Sequence, residues 1–260
     1  MNQYLDLSRL LNLPILASEH GKNVDHLIIW VHWLMIALFA GWIFYFFLAI
    51  FKFRASKNAK ADYVGAKTHA STYIEIAVAV VEAILLLGLA VPLWAKSAGK
   101  FPSLADSTVI RVTAEQFTWN SRYPGADNIF GKQDIHLVSP DNLLGYIPTD
   151  PHSTDDFVPP SKEIHVPVNK PVIVYLTSKD VIHSFQIDPM RVTQDAIPGM
   201  TIPLHFTPIT VGHYEIQCAQ LCGSGHSTMS GFFTVDTAED YEKWSAEKVK
   251  AKGTTATSFE

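Results

Sequence analysis

Two cysteines, a histidine and a methionine stand close together in the chain, as Cys218, Cys222, His226 and Met229. Sulfur and imidazole donors gathered in one short loop suit copper. Thiolate and imidazole serve Cu(I) and Cu(II) alike, and a Met thioether is a typical weak axial copper ligand. Zinc accepts Cys and His but has no need of Met. A mononuclear blue copper site uses a single Cys with two His and a Met. The second Cys here provides a second bridging thiolate, and two bridging sulfurs can hold two metals close together. For two cysteines alone, a disulfide across the loop is the alternative in a compartment that permits one. His226 and Met229 at these positions weigh against it. The chain has only these two cysteines, too few for a small scaffold stapled by disulfides.

Such a loop also needs a donor from a distant strand. Val181-Ile182-His183-Ser184-Phe185 supplies one, a histidine flanked by apolar strand residues after the polar turn Ser178-Lys179-Asp180. His205 and His213 lack that context and read as surface or core residues.

The elements that must position these donors begin after Lys96. Short apolar runs alternate there with Pro, Gly and Asp clusters: Val109 to Val112, Ile164 to Val166, Val172 to Leu176, Leu204 to Phe206 and Gly231 to Val235. They are β-branched and aromatic and are bounded by turn signals, which predicts an antiparallel β-sandwich or barrel. The stretch from Tyr123 to Pro160 is loop-rich and predicts an excursion. After Asp236 a short helix through Tyr241 and Trp244 is expected, then a frayed polar tail.

Before Lys96 the chain is of another kind. Leu27 to Phe51 is uncharged, rich in Trp, Phe, Ile and Leu, and long enough to cross a hydrocarbon core of ~30 Å. Tyr73 to Ala95 is of similar length but carries Glu75 and Glu82. The connecting loop holds Lys52, Arg54, Lys57, Lys60 and Lys67 against Asp62, so the positive-inside rule places it in the cytoplasm and both chain ends on the other side. Leu10 to Ala17 makes a poor secretory leader, because charges and a proline interrupt that region. The expected organisation is an exported N-terminal segment (1–25), a transmembrane helix hairpin (26–96), a β domain (97–236) and a C-terminal helix and tail (237–260).

With 260 residues there is room for an anchor and one core-bearing domain, not for two large ones. A formal net charge of −5 offers no basic patch and argues against a nucleic-acid binder. From Lys96 onward 13 Lys or Arg face 19 Asp or Glu, about −6. The acidity is concentrated on the exported part, which suits a basic partner arriving by electrostatic steering.

Two membrane helices followed by a cupredoxin-like domain with His183 and the Cys218 to Met229 loop resemble subunit II of the haem-copper cytochrome c oxidases. Gln116-Phe117-Thr118-Trp119, then Tyr123-Pro124-Gly125, stand where that family has its aromatic stretch, and Asp195-Ala196-Ile197-Pro198-Gly199 also fits. The resemblance implies a membrane-anchored all-β chain carrying a binuclear copper centre, CuA. Cys218 and Cys222 would bridge both coppers, His183 and Met229 would complete one, and His226 with the backbone carbonyl of Gln220 the other. It further implies a c-type cytochrome or cupredoxin as donor, and partnership with subunit I, which holds the haems and CuB, and with other oxidase subunits. Surrounding lipid would be that of a bacterial-type inner membrane, with the copper domain periplasmic. No complete catalytic site would lie in this chain.

The family's electron-entrance tryptophan aligns with Phe117, leaving Trp119 as the nearest indole. Glu75 aligns with a glutamate at the mouth of a proton-uptake channel, while Glu82 has no family counterpart. Gln220 stands where the family usually has a magnesium-binding Glu. A neutral amide is a weaker ligand for a hard cation, which puts the magnesium site in question. A nitrous oxide reductase would need more histidines and no hairpin. A quinol oxidase subunit would lack the copper ligands, and a copper carrier would lack a closed set.

Overall fold

The computed structural model describes residues 10–58, 60, 63–64 and 68–255, with backbone alone for 97 and 251–255. Residues 1–9 of the expected N-terminal segment, Asp62 and Lys67 of the basic loop, and residues 256–260 of the tail lie outside the described residues.

Contacts divide the chain into two units, one holding Asn23–Lys96 and the other Pro14–Lys22 with Ser97–Glu260. Helix α1 spans Gly21–Phe53 and from Asn23 onward belongs to the first unit. At 1.5 Å per residue it is ~50 Å long, well over the thickness of a hydrocarbon core. The second apolar helix starts as α2 (Ala70–Ala83), continues through π-helical turns at Ile84–Ala90, and ends as α3 (Val91–Gly99). Both are long and apolar enough to cross a membrane. Trp30, Trp42, Phe44, Ile74, Leu87 and Trp94 all stand exposed along them. A water-soluble helix would bury such a face, so a non-aqueous surrounding is the consistent reading.

The second unit is a two-sheet sandwich. One sheet runs β2 (Thr118–Arg122), β1 (Thr108–Glu115), β4 (Val172–Ser178), β7 (Ile202–Phe206). The other runs β3 (Glu163–Pro167), β9 (Ser230–Asp236), β8 (Gly212–Cys218), β5 (His183–Ile187), β6 (Val192–Ala196). β8 shows period two, with Tyr214 and Ile216 buried between exposed His213, Glu215 and Gln217. These inward residues meet Ile110, Val112, Trp119, Phe185 and Phe233 in one core. Burying a side chain such as Phe185 contributes about 1.5–3 kcal/mol.

The expected all-antiparallel pairing needs correction, because β1 pairs with β4, and β3 with β9, in parallel. Parallel neighbours require long crossovers, and the excursion between β2 and β3 is the crossover inside the β1–β4 pair. It is pinned by Tyr123 and Phe157, which exchange two backbone hydrogen bonds and stack at 4.9 Å. Buried Arg122 and Asp156 form an ion pair there, and Asp156 also accepts from the Gly131 N–H. The C-terminal helix α4 spans Ala238–Thr255, longer than the short helix expected, and docks through Trp244 on Tyr123, Phe157 and His165.

The stretch just before α1 is part of the sandwich. Ala17 N–H donates to the Pro189 carbonyl and its own carbonyl accepts from Ile209 N–H, both at 2.9 Å. Ser18 is fully buried and its hydroxyl donates to the Met190 carbonyl at 2.6 Å. Arg191 donates to the carbonyls of Pro14 and Asp188. Ser18→Ala should leave the Met190 carbonyl unsatisfied and destabilise the domain by about 1–3 kcal/mol, read as a lower thermal midpoint of the full-length chain in detergent.

Candidate metal centre

The loop from Cys218 to Met229 is the connection of the β8–β9 hairpin, whose last ladder pair is Gln217 with Ser230. Cys218 N–H donates to the Met229 carbonyl at 3.2 Å, so the neck of the hairpin sets these two residues face to face. Strand β5 lies on the other flank of β8, with Phe185 opposite Cys218, and Ala219 N–H donates to the Ser184 carbonyl at 2.9 Å. That pairing carries His183, the first residue of β5, to the mouth of the loop. A 3₁₀ turn at His226–Thr228 then brings His226 back over it.

All the donors named from the sequence converge. Cys218 Sγ and Cys222 Sγ are 3.8 Å apart, and His183 Nδ1 is 3.8 Å from Cys218 Sγ. His226 Nδ1 lies 3.6 Å and Met229 Sδ 3.8 Å from Cys222 Sγ, while the Gln220 carbonyl is 3.2 Å from Cys218 Sγ. Sulfurs 3.8 Å apart are too distant for a disulfide, whose S–S bond is about 2.05 Å. They are close enough to share a metal, since metal–thiolate bonds near 2.3 Å span up to about 4.6 Å between sulfurs. His183, Cys218 and Cys222 by themselves form a group that can hold a metal ion. His183, Cys222 and Met229 are buried, Cys218 is half-buried and Gln220 exposed.

Asp180 orders this arrangement. Its carboxylate accepts from His183 Nε2 at 2.9 Å, from Gln116 N–H at 2.6 Å and from Val181 N–H at 2.7 Å. Burial works against the ionised form, but these bonds outweigh it and hold Asp180 below the ordinary carboxylate range. An ionised carboxylate only accepts, so His183 Nε2 donates to it, and Nδ1 is the ring nitrogen that faces the sulfurs. Burial, and then the neighbouring Cys218 thiol, push Cys222 up to about 11. Two close thiols resist becoming two bare thiolates, and a cation between them would relieve that cost.

Around the cluster the aromatic stretch divides. Trp119 is wholly buried, edge-on to His183 and Phe185 at 6.1 and 5.5 Å. Phe117 is half-buried and is the member of the pair nearer the surface. Its ring lies so close to Gly225 that a Cβ there would sit 2.5 Å from it. Gly223, at φ +136°, adopts a conformation that favours glycine. Neither His205, which packs on Phe101, nor His213, which meets Thr234, belongs to the cluster. The roles of Asp180, Gln116 and the two loop glycines escaped the sequence reading. An Asp three residues before His183, and two glycines inside the donor loop, are the signals that could have found Asp180 and the glycines; Gln116 carries no such signal.

Residues 108–235 match the family model described as cytochrome c oxidase subunit II, periplasmic domain. The alternative cytochrome c oxidase subunit 2 of Bradyrhizobium diazoefficiens is 31% identical over 231 residues, covering 88% of this chain and 81% of that protein. This chain belongs to the cytochrome c oxidase subunit II family. The cytochrome c oxidase subunit 2 of Synechocystis is 41% identical over 91 residues, covering 35% of this chain and 27% of that protein. A crystal structure of the periplasmic domain of subunit II of cytochrome oxidase from Bradyrhizobium japonicum is similar at 27% identity and a TM-score of 0.43, over 58% of this chain and 99% of that one. As a subunit II, the chain is part of a haem-copper oxidase, an oxidoreductase complex.

In metal-free, reduced subunit II, half-exposed Cys218 should be alkylated before buried Cys222. Because only the thiolate reacts, Cys222 labelling should climb about tenfold per pH unit until pH nears its raised value. Mass spectrometry of each cysteine checks both expectations.

Proposed function

We propose that this chain is the electron-accepting subunit of its oxidase, with two copper ions held by His183, Cys218, the Gln220 carbonyl, Cys222, His226 and Met229. The observation that carries this reading is the convergence of two thiols, two imidazole nitrogens, one thioether and one carbonyl around one hairpin loop. Copper bound there supplies a one-electron couple. The chain's residues do the rest: Cys218 and Cys222 give up their protons on loading, and Asp180 keeps the His183 tautomer that presents Nδ1. The hairpin neck and the core behind it keep the donors from moving, so little rearrangement need accompany a change of charge.

Electrons would arrive from a c-type cytochrome or a cupredoxin. The acidic balance from Lys96 onward favours a basic donor at long range. Of the two aromatic candidates, the half-buried Phe117 against the loop suits the entrance, with buried Trp119 behind His183. The onward acceptor is haem in subunit I, where oxygen is reduced to water. Other oxidase subunits and lipid cover the apolar helices. The side chain of Gln220 is an exposed neutral amide, so a magnesium site is not carried over to it.

For orientation, we place the β domain on the periplasmic face of a bacterial-type inner membrane and the loop with Lys52, Arg54, Lys57 and Lys60 in the cytoplasm. The hydrogen bonds of Ala17 and Glu19 to the sandwich support this, because they put the segments before the first apolar helix and after the second on one side. Glu75, near the start of α2, would then sit at the cytoplasmic end, suited to proton uptake.

The copper reading is checked by electron paramagnetic resonance of the copper-loaded chain. A seven-line pattern, one electron shared by two coppers, is expected; a four-line mononuclear spectrum or no copper signal would sink it. Glu75→Ala should lower turnover of the assembled oxidase while leaving that spectrum unchanged, and full turnover would reduce Glu75 to a membrane anchor.

A further inference from the structure

The hairpin ladder holds the two ends of the metal loop but does not account for its middle. Cys218 and Met229 are joined at the neck, and His183 is tied to them through β5. Cys222 sits four residues into the loop, and its carbonyl accepts from Gln116 Nε2 at 2.6 Å. Gln116 belongs to the turn between β1 and β2, in the opposite sheet. The same residue donates its backbone N–H to Asp180 Oδ2 at 2.6 Å, and Asp180 Oδ1 accepts from His183 Nε2 at 2.9 Å. The Asp180 turn is itself anchored to β1, since Lys179 N–H donates to the Ala114 carbonyl at 3.0 Å. A continuous line of hydrogen bonds therefore runs from the His183 ring through Asp180 and Gln116 to the backbone of Cys222. Gly223 keeps the approach open, because a Cβ there would lie 2.7 Å from Gln116 Nε2.

We propose that Gln116 is a positioning residue, which fixes Cys222 relative to His183 through its amide on the Cys222 carbonyl and its backbone N–H on Asp180. It touches no metal donor atom and acts through the carbonyl and the carboxylate. Hydrogen-bonding partners of this kind set metal affinity and redox potential by orienting the ligands and limiting their motion. The effect on a bound metal rests on the copper reading above, while the placement of Cys222 does not.

The full-length chain in detergent provides the test, with Gln116→Met, which keeps the side-chain length and removes the amide donor. In the metal-free reduced chain, Cys222 alkylation should speed up severalfold while Cys218 stays at the wild-type rate. In the copper-loaded chain, loss of copper to a chelator should be about 10–100-fold faster, and both the reduction potential and the copper hyperfine pattern should shift. Wild-type values for alkylation, copper loss and potential would overturn the proposal. So would equal acceleration of both cysteines with an unchanged potential, which marks general loosening. If Gln116→Met shows no cooperative thermal unfolding, Asp180→Asn decides by the same readings, and an unchanged Asp180→Asn protein overturns it. A wild-type chain that binds no copper, alongside faster Cys222 alkylation in Gln116→Met, would reject the copper reading and leave the brace standing.

Discussion

Two strands paired in register must bring the chain between them back to its starting point, and the donor cluster depends on that constraint. With Gln217 opposite Ser230, Cys218 and Met229 are adjacent whatever path the loop takes. Strand β5 on the other side of β8 adds His183 by the same logic of neighbouring ladders. Behind these strands Phe185, Ile216 and Phe233 are fully buried, so sliding any ladder would expose large apolar surface. The position of the donors is thus tied to the free energy of the core.

In small metal-folded modules binding free energy is also folding free energy, whereas this domain has an apolar core of its own. The sandwich brings sulfurs and nitrogens together, and the chemical cost of binding a cation is concentrated on the thiols. Cys222, pushed up to about 11 by burial and by Cys218, stays protonated until a cation offsets its charge. Asp180 works in the opposite sense. It is ionised, stabilised by three donors, and holds His183 by its Nε2. A buried thiol kept neutral and a solvent-accessible carboxylate kept charged beside it leave no unpaired charge in the core.

The rest of the molecule serves to hold and deliver this domain. Residues before the first apolar helix are built into the sandwich through Ala17, Ser18 and Glu19, so the domain is fastened by chain that precedes the membrane segments as well as by chain that follows them. At the other end α4 closes over the excursion through Trp244, whose ring meets Tyr123, Phe157 and His165. The first attachment is made by backbone and side-chain hydrogen bonds and the second largely by aromatic contacts.

Much of this was legible in the residues. Two long apolar runs, the first of them uncharged, announce membrane helices because a hydrocarbon core tolerates little else. The donor types at 218, 222, 226 and 229 announce a metal because soft ligands rarely gather without one. Five strands were plain from β-branched runs, but β8, which carries Cys218, was not, since alternating Tyr214, Glu215, Ile216 and Gln217 form a weaker apolar signal. The sequence alone determined which atoms are available and the kind of chemistry they suit, because those are properties of residue type and local spacing. Only the tertiary structure decided that β1 runs parallel to β4, that Trp119 is buried while Phe117 stays nearer the surface, and that Gln116 and Asp180 join His183 to Cys222. Those facts arise from pairing between segments tens of residues apart, where the choice is made by shared burial and by the need of each buried polar group for a partner.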